Sequence, residues 1–229
     1  MKLSGHHKIR INTIIWSVLG VIVIAFFVRV ALWEQNYYAT KEGSERETPT
    51  VYETEEVDET EVTVEQRAEY TAPDSHPRYL SIEKLGITNA RVISLGLKSN
   101  GEIATPTNIF DVGWYNASGL PGKGGTMVID AHNGGPNVEG VFKHLDRLVE
   151  GDLIVIERGD GAIFHYEVVE NKAVSIENGE ADNYMITALS TPEPGKESIT
   201  LITCIGTWSN ARQTYLSRQF TRAVLVDEE

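Results

Sequence analysis

One cysteine, Cys204, stands in 229 residues, so the chain can form no intrachain disulfide. Six histidines are scattered, only His6 and His7 being adjacent, and with one thiol they give no paired ligand spacing for zinc. Basic residues are also scarce, 20 Lys and Arg against 33 Asp and Glu, for a formal net charge of −13. Phosphates would be repelled by that balance, which excludes a nucleic-acid-binding domain. No internal repeat is visible, long helical patterns are missing, and only one long uncharged apolar run occurs.

That run extends from Ile11 to Val28, 18 residues with Asn12, Thr13 and Ser17 as its only strongly polar members. Its length is close to the ~20 residues needed to cross a hydrocarbon core. A cleaved signal peptide is the rival, but it calls for a shorter run and a small-x-small site, whereas Phe26, Phe27, Val28, Arg29 and Val30 follow here. The expectation is therefore an uncleaved transmembrane anchor over 11–33. Lys2, Lys8 and Arg10 precede it, so residues 1–10 are expected in the cytoplasm and everything after the span outside. Residues 34–76 read as an acidic, disordered tether, since 34–74 hold 13 acids, 3 bases and few large apolar side chains. In an exported domain a lone thiol is either reactive or a small buried hydrophobe. Its count alone does not separate the two.

From Arg78 the texture changes, and residues 77–229 read as the folded domain. Short apolar runs recur near 79–85, 90–97, 125–132, 153–158, 163–170, 199–204 and 218–226, between Gly-rich and Pro-rich breaks such as Gly134-Gly-Pro136 and Pro192-Glu-Pro-Gly195. A helix is expected only at Val138–Val149, where Val141, Phe142, Leu145 and Leu148 have helical spacing. Many short strands with little helix indicate an all-β barrel or sandwich.

Two segments carry chemistry. In Thr126-Met-Val-Ile-Asp-Ala-His132-Asn-Gly-Gly135 an apolar strand ends in a histidine beside a glycine turn, a rigid support for a general acid or base. Taken alone, such a histidine is more often a turn residue. In Ile199-Thr-Leu-Ile-Thr-Cys204-Ile-Gly206 a second apolar strand runs out into the cysteine, where a thiol stays accessible. A thiol needs a nearby base or cation to act as a nucleophile. Arg212, Arg218 and Arg222 follow; one could hold an oxyanion, and at least one serves only solubility.

Thr200-Leu-Ile-Thr-Cys204 resembles the Thr-Leu-x-Thr-Cys motif of the sortases at every fixed position, over a similarity spanning roughly 77–226. The resemblance implies a closed eight-stranded β-barrel with short helices, with Cys204 as nucleophile and a histidine ending another strand. His132 fits, 72 residues upstream. It implies an arginine opening the last strand, and Arg218, 14 residues after Cys204, matches best. Thr203 and Ala131, beside the two catalytic residues, are expected against the substrate, although Thr203 also simply suits a strand. The family commonly has Gly before the histidine where this chain has Ala131. No Asp-Pro-aromatic lid motif precedes the domain, so the chain looks like the lidless branches, classes E and F among them.

What the resemblance implies for activity is transpeptidation by thioester: a C-terminal sorting signal of a secreted protein is cut, and the acyl group passes to an amine of a cell-wall precursor or pilin, or to water. No metal and no cofactor is expected. The order histidine before cysteine is the reverse of papain-like proteases, and the two lie too far apart for cysteine L,D-transpeptidases. The non-enzymatic alternative is a tethered β-barrel scaffold with a structural cysteine.

Overall fold

The computed structural model describes Val51–Tyr52 and residues 57–226. The expected cytoplasmic segment and transmembrane anchor lie outside the described residues, among which no helix is long and apolar enough to cross a membrane.

Ten strands and two helices make up the described chain: β1 (Val51–Tyr52), α1 (Val64–Ala68), β2 (Pro77–Ile82), β3 (Ile87–Leu95), β4 (Leu97–Lys98), β5 (Val112–Tyr115), β6 (Thr126–Asp130), β7 (Leu153–Arg158), β8 (Ile163–Ser175), α2 (Glu180–Ala188), β9 (Ser198–Ser209) and β10 (Thr214–Leu225). Eight strands close into a barrel in the order β10-β8-β7-β2-β3-β5-β6-β9, while β1 and β4 form a separate parallel pair. Barrel pairs are antiparallel except β3–β5 and β6–β9. Inward positions recur every second residue, as in Met127 and Ile129, Ile154 and Ile156, Tyr166 and Val168, and Ile199 and Leu201. Together with Leu80, Ile82, Val92 and Trp114 they form the core.

The seven strand segments read from the sequence all occur, β7 with the ends expected and the others with shifted ends. The eighth barrel strand, β5, is only four residues long and contains Gly113, whose missing side chain lets Leu95 and Pro106 approach. So short a strand carries almost no alternation. The helix expected over Val138–Val149 does not form; only a 3-10 turn, Leu145–Arg147, appears there. Gly140 lies against the His132 carbonyl and Phe142 donates its N–H to it (3.1 Å), so the chain folds back instead of coiling. The apolar spacing reflects burial: Phe142, Leu145 and Leu148 plug the barrel end, where Asn171 Nδ2 binds the carbonyls of Leu145 (3.1 Å) and Leu148 (2.7 Å).

The true second helix is α2, whose Ala181, Tyr184, Met185 and Ala188 pack on Val128, Ile202 and Phe220 outside the barrel. Two of the four contact residues are alanines, so the stripe is faint in the sequence. The expected tether also differs in its described part: residues 57–76 are seated on the barrel. Val62 is buried, Thr63 and Gln66 form a capping box at α1, and Tyr70 Oη donates to the Val92 carbonyl (2.5 Å).

Candidate active site

Strands β6 and β9 run parallel, in register from Thr126–Ser198 to Asp130–Ile202. One more ladder bond follows, Ala131 N–H to the Ile202 carbonyl (3.2 Å), and the next residues on the two chains are His132 and, two beyond Ile202, Cys204. On the other edge of β9, β10 places Arg218 directly opposite Cys204. Three neighbouring strands therefore present His132, Cys204 and Arg218, in that order, at one end of the barrel.

Side chains alternate between the two faces of a strand. Ala131 belongs to the inner core, and Thr203 and Gln219 share its face, both almost fully buried. The Thr203 hydroxyl donates to the Ala131 carbonyl (2.8 Å), and Gln219 Nε2 to Asn171 Oδ1 (2.6 Å). Thr203 and Ala131, expected against the substrate, are instead turned to the core by the inward phase of both strands. Their bond instead ties the strand end bearing the histidine to the one bearing the cysteine.

The outer face carries Val128, Asp130 and His132 on β6, Thr200, Ile202 and Cys204 on β9, and Arg222, Phe220 and Arg218 on β10. Helix α2 covers the first part of it. Thr200 Oγ1 donates to the Ala188 carbonyl (2.7 Å), and Arg222 Nη2 to the carbonyls of Thr187 (3.1 Å) and Ser190 (2.8 Å), securing the helix C-terminus. Past Ile202 and Phe220 the strands emerge, and Cys204, His132 and Arg218 are each half-buried. The three arginines are now distinguished. Arg222 is buried and paired with Glu170 (2.8 Å), a structural role; Arg212 is exposed in the loop before β10; Arg218 stands beside the thiol.

Burial pushes the Cys204 thiol above its ordinary value, with the Arg218 charge pulling it back and Asp130 adding to the rise. Burial likewise holds the His132 imidazole below the usual histidine range, against a hydrogen bond to the Pro106 carbonyl (2.7 Å). In that bond the ring Nε2–H is the donor, which leaves Nδ1 as the basic nitrogen of the neutral ring. No hydrogen bond joins Cys204 to His132 among the described residues. Both shifts favour a neutral thiol and a neutral imidazole over a preformed ion pair. Arg218 Nη1 binds the carbonyls of Tyr215 (3.0 Å) and Ser217 (3.1 Å), and Nη2 binds Thr214 Oγ1 (3.1 Å), so its side chain is held along its own strand.

Sequence reasoning missed Asp130. It is on the outer face, accepts a 2.5 Å bond from Thr105, and burial raises its carboxyl to about 6 despite the charges of Lys98 and Arg218. An acid inside an otherwise apolar strand, two residues before the histidine, was the available signal. Lys98 was missed because it arrives from β4, distant in sequence, yet its charge reaches Asp130, His132 and Cys204. Beyond the strand ends a cavity of about 270 Å³ is lined by Asn133, His144, Arg147, Ile205, Gly206 and Tyr215 among others. His144, expected on a helix, instead precedes the 3-10 turn on its rim.

Similar solved structures include the pilus-related sortase C of Group B Streptococcus, 22% identical over 77% of this chain and 77% of that one, with a TM-score of 0.48. Sortase A from Corynebacterium diphtheriae is 26% identical over 69% of this chain and 64% of that one, with a TM-score of 0.47. No curated protein matches the chain. The family model described as the sortase domain matches residues 80–226, which takes in every barrel strand but the start of β2, and the chain belongs to the sortase family.

Proposed function

We propose that the chain is a membrane-anchored cysteine transpeptidase acting outside the cytoplasm. It cleaves a C-terminal sorting signal and transfers the acyl group to an amine of a cell-wall precursor or pilin. The observation that carries this reading is the strand order: a histidine, a cysteine and an arginine, each from a different strand, meet at one end of one barrel face. The uncharged run Ile11–Val28 and the basic residues before it support a single-pass anchor with the domain outside. An acidic tether would begin at residue 34.

In the first stage Cys204 Sγ attacks the carbonyl carbon of the signal's threonine, its proton passing to His132. Arg218 turns from its own strand's carbonyls to steady the oxyanion. The C–N bond breaks as His132 protonates the leaving amine, and a thioester remains on Cys204. In the second stage the incoming amine attacks that carbonyl, His132 takes its proton, the C–S bond breaks, and the thiolate recovers a proton. Water in place of the amine gives hydrolysis. The cavity past Asn133 and Ile205 is open beside the thioester position and suits the entry of the acceptor. A neutral resting pair fits this chemistry, since the reactive thiolate–imidazolium form is then a minor population drawn on by substrate.

The test is incubation of the chain with a pool of threonine-containing sorting peptides and varied amines. Product joining peptide to amine is expected from the parent, and none from Cys204→Ala. An alanine variant that turns over normally would end the reading.

A further inference from the structure

Residues 57–62 precede the family-matched region, yet they lie between the two loops that hold the imidazole. One loop, 105–110, supplies the Pro106 carbonyl bound to His132 Nε2 (2.7 Å). The other, 133–141, leaves His132 directly and folds back on it: Gly140 N–H donates to the Asn133 carbonyl (2.9 Å) and Phe142 N–H to the His132 carbonyl (3.1 Å). The two loops touch through Val141 N–H and the Ile109 carbonyl (3.3 Å).

Glu59 closes the second loop. Its Oε1 accepts the backbone N–H groups of Asn137 (2.8 Å) and Val138 (3.1 Å), and Oε2 accepts Asn137 Nδ2 (2.8 Å). A Cβ at Gly135 would collide with this carboxylate, so the glycine is what admits it. Asp58 closes the first loop: its N–H donates to the Thr107 carbonyl (2.9 Å), its carbonyl accepts Ile109 N–H (2.9 Å), and its Oδ2 accepts Asn108 Nδ2 (3.1 Å). Adjacent residues of one extended segment thus fasten both supports of a histidine that stands beyond the end of its own strand. Val62, buried, and the capped α1 hold the segment down.

We propose that Glu59, seconded by Asp58, is a positioning residue for His132, and that these two residues therefore belong with the site instead of the tether. This rests on the reading of His132 as the proton-transfer group. The loop tip offers two backbone N–H groups and an amide that water would otherwise bind. With the carboxylate in place they are ordered by a charge-assisted acceptor, which limits how far the loop, and the ring that starts it, can move.

The experiment uses the full chain in detergent micelles with Glu59→Ala and Glu59→Gln, and reads His132 directly by NMR titration of labelled histidine, the resonance being assigned from its loss in His132→Gln. Once the clamp is gone the ring becomes better hydrated, so its pKa is expected to rise toward the ordinary histidine value in E59A. Turnover of the peptide and amine pool is expected to fall about 10- to 100-fold, as for a misplaced proton-transfer group. In E59Q the amide oxygen keeps the two backbone bonds and loses the one from Asn137 Nδ2, so both readouts should fall between E59A and the parent. A His132 titration in E59A that superimposes on the parent's, or unchanged turnover with an intact fold, overturns the proposal. If E59A does not fold, E59Q decides by the same titration, and parental behaviour there overturns it equally. Because the titration needs no turnover, it decides the matter even if the transpeptidase reading fails.

Discussion

Strands β6 and β9 start side by side at one end of the barrel and finish side by side at the other, and the two ends differ in how their polar groups are partnered. At the start, Thr126 Oγ1 and Ser198 Oγ, both buried, lie 2.8 Å apart. Next to them the Glu197 carboxylate accepts Gly122 N–H (2.9 Å), Gly124 N–H (2.7 Å) and Tyr166 Oη–H (2.6 Å). At the finish, no hydrogen bond reaches the Cys204 thiol among the described residues, the His132 ring has one, and Asp130 is ionisable yet largely removed from water. The saturated end fixes the register of a parallel pair; the sparsely partnered end keeps groups free to exchange protons. A one-residue slip of either strand at the first end would turn that strand's His132 or Cys204 inward at the second.

The strongest way to sharpen this contrast is to remove the chemistry without the fold. His132→Ala, like Cys204→Ala, is expected to lower turnover by at least about 10³-fold while the melting temperature stays near the parent's; a melting temperature that falls sharply would mean that end is structural too. Asp130→Asn addresses the burial of a carboxyl. The folded pKa, about 6, lies above the ordinary 3.8, so the folded state holds the proton more tightly than the unfolded chain. Stability from this group is therefore present at low pH and lost as pH rises from about 4 through about 6. The amide still accepts from Thr105, so the variant should be more stable at pH 7.5 than the parent by up to about 3 kcal/mol, and nearly equal near pH 4. Equal melting curves at both pH values would contradict the burial argument.

The opposite end predicts the reverse pattern. Glu197→Ala leaves two backbone N–H groups and a buried tyrosine without their acceptor, and should lower stability by about 1–3 kcal/mol without altering the rate at which a thiol reagent labels Cys204. A large change in labelling would show that the two ends are coupled. The smallest effects concern the thiol's charge environment. Arg218→Met removes the cation that favours the thiolate, so labelling near neutral pH should slow about 2- to 5-fold and the alkaline limb of the rate profile should move up. Asp130→Asn should move both the other way.

Much of the barrel was legible because its strands alternate and its breaks are glycine and proline. The strand β5 was not, since four residues with a central glycine hold no period, and the segment around Phe142 and Leu145 has helical spacing without helical hydrogen bonds. Within the site, Cys204 and His132 announce themselves as polar residues closing apolar strands. Arg218 needed the motif resemblance to be chosen over Arg212 and Arg222. Glu59 was invisible, one more acid in a run of like charges, because nothing local distinguishes a carboxylate that binds a loop 78 residues away.

The sequence by itself determined an all-β domain and placed Cys204 and His132 at the ends of apolar strands, because strand periodicity and strand-end placement are local properties. Tertiary structure alone decided that Thr203 and Ala131 turn inward, and that Asp130, Lys98 and Glu59 belong to the site's surroundings. Those outcomes depend on strand register and loop closure, which bring together groups that no window of the chain contains.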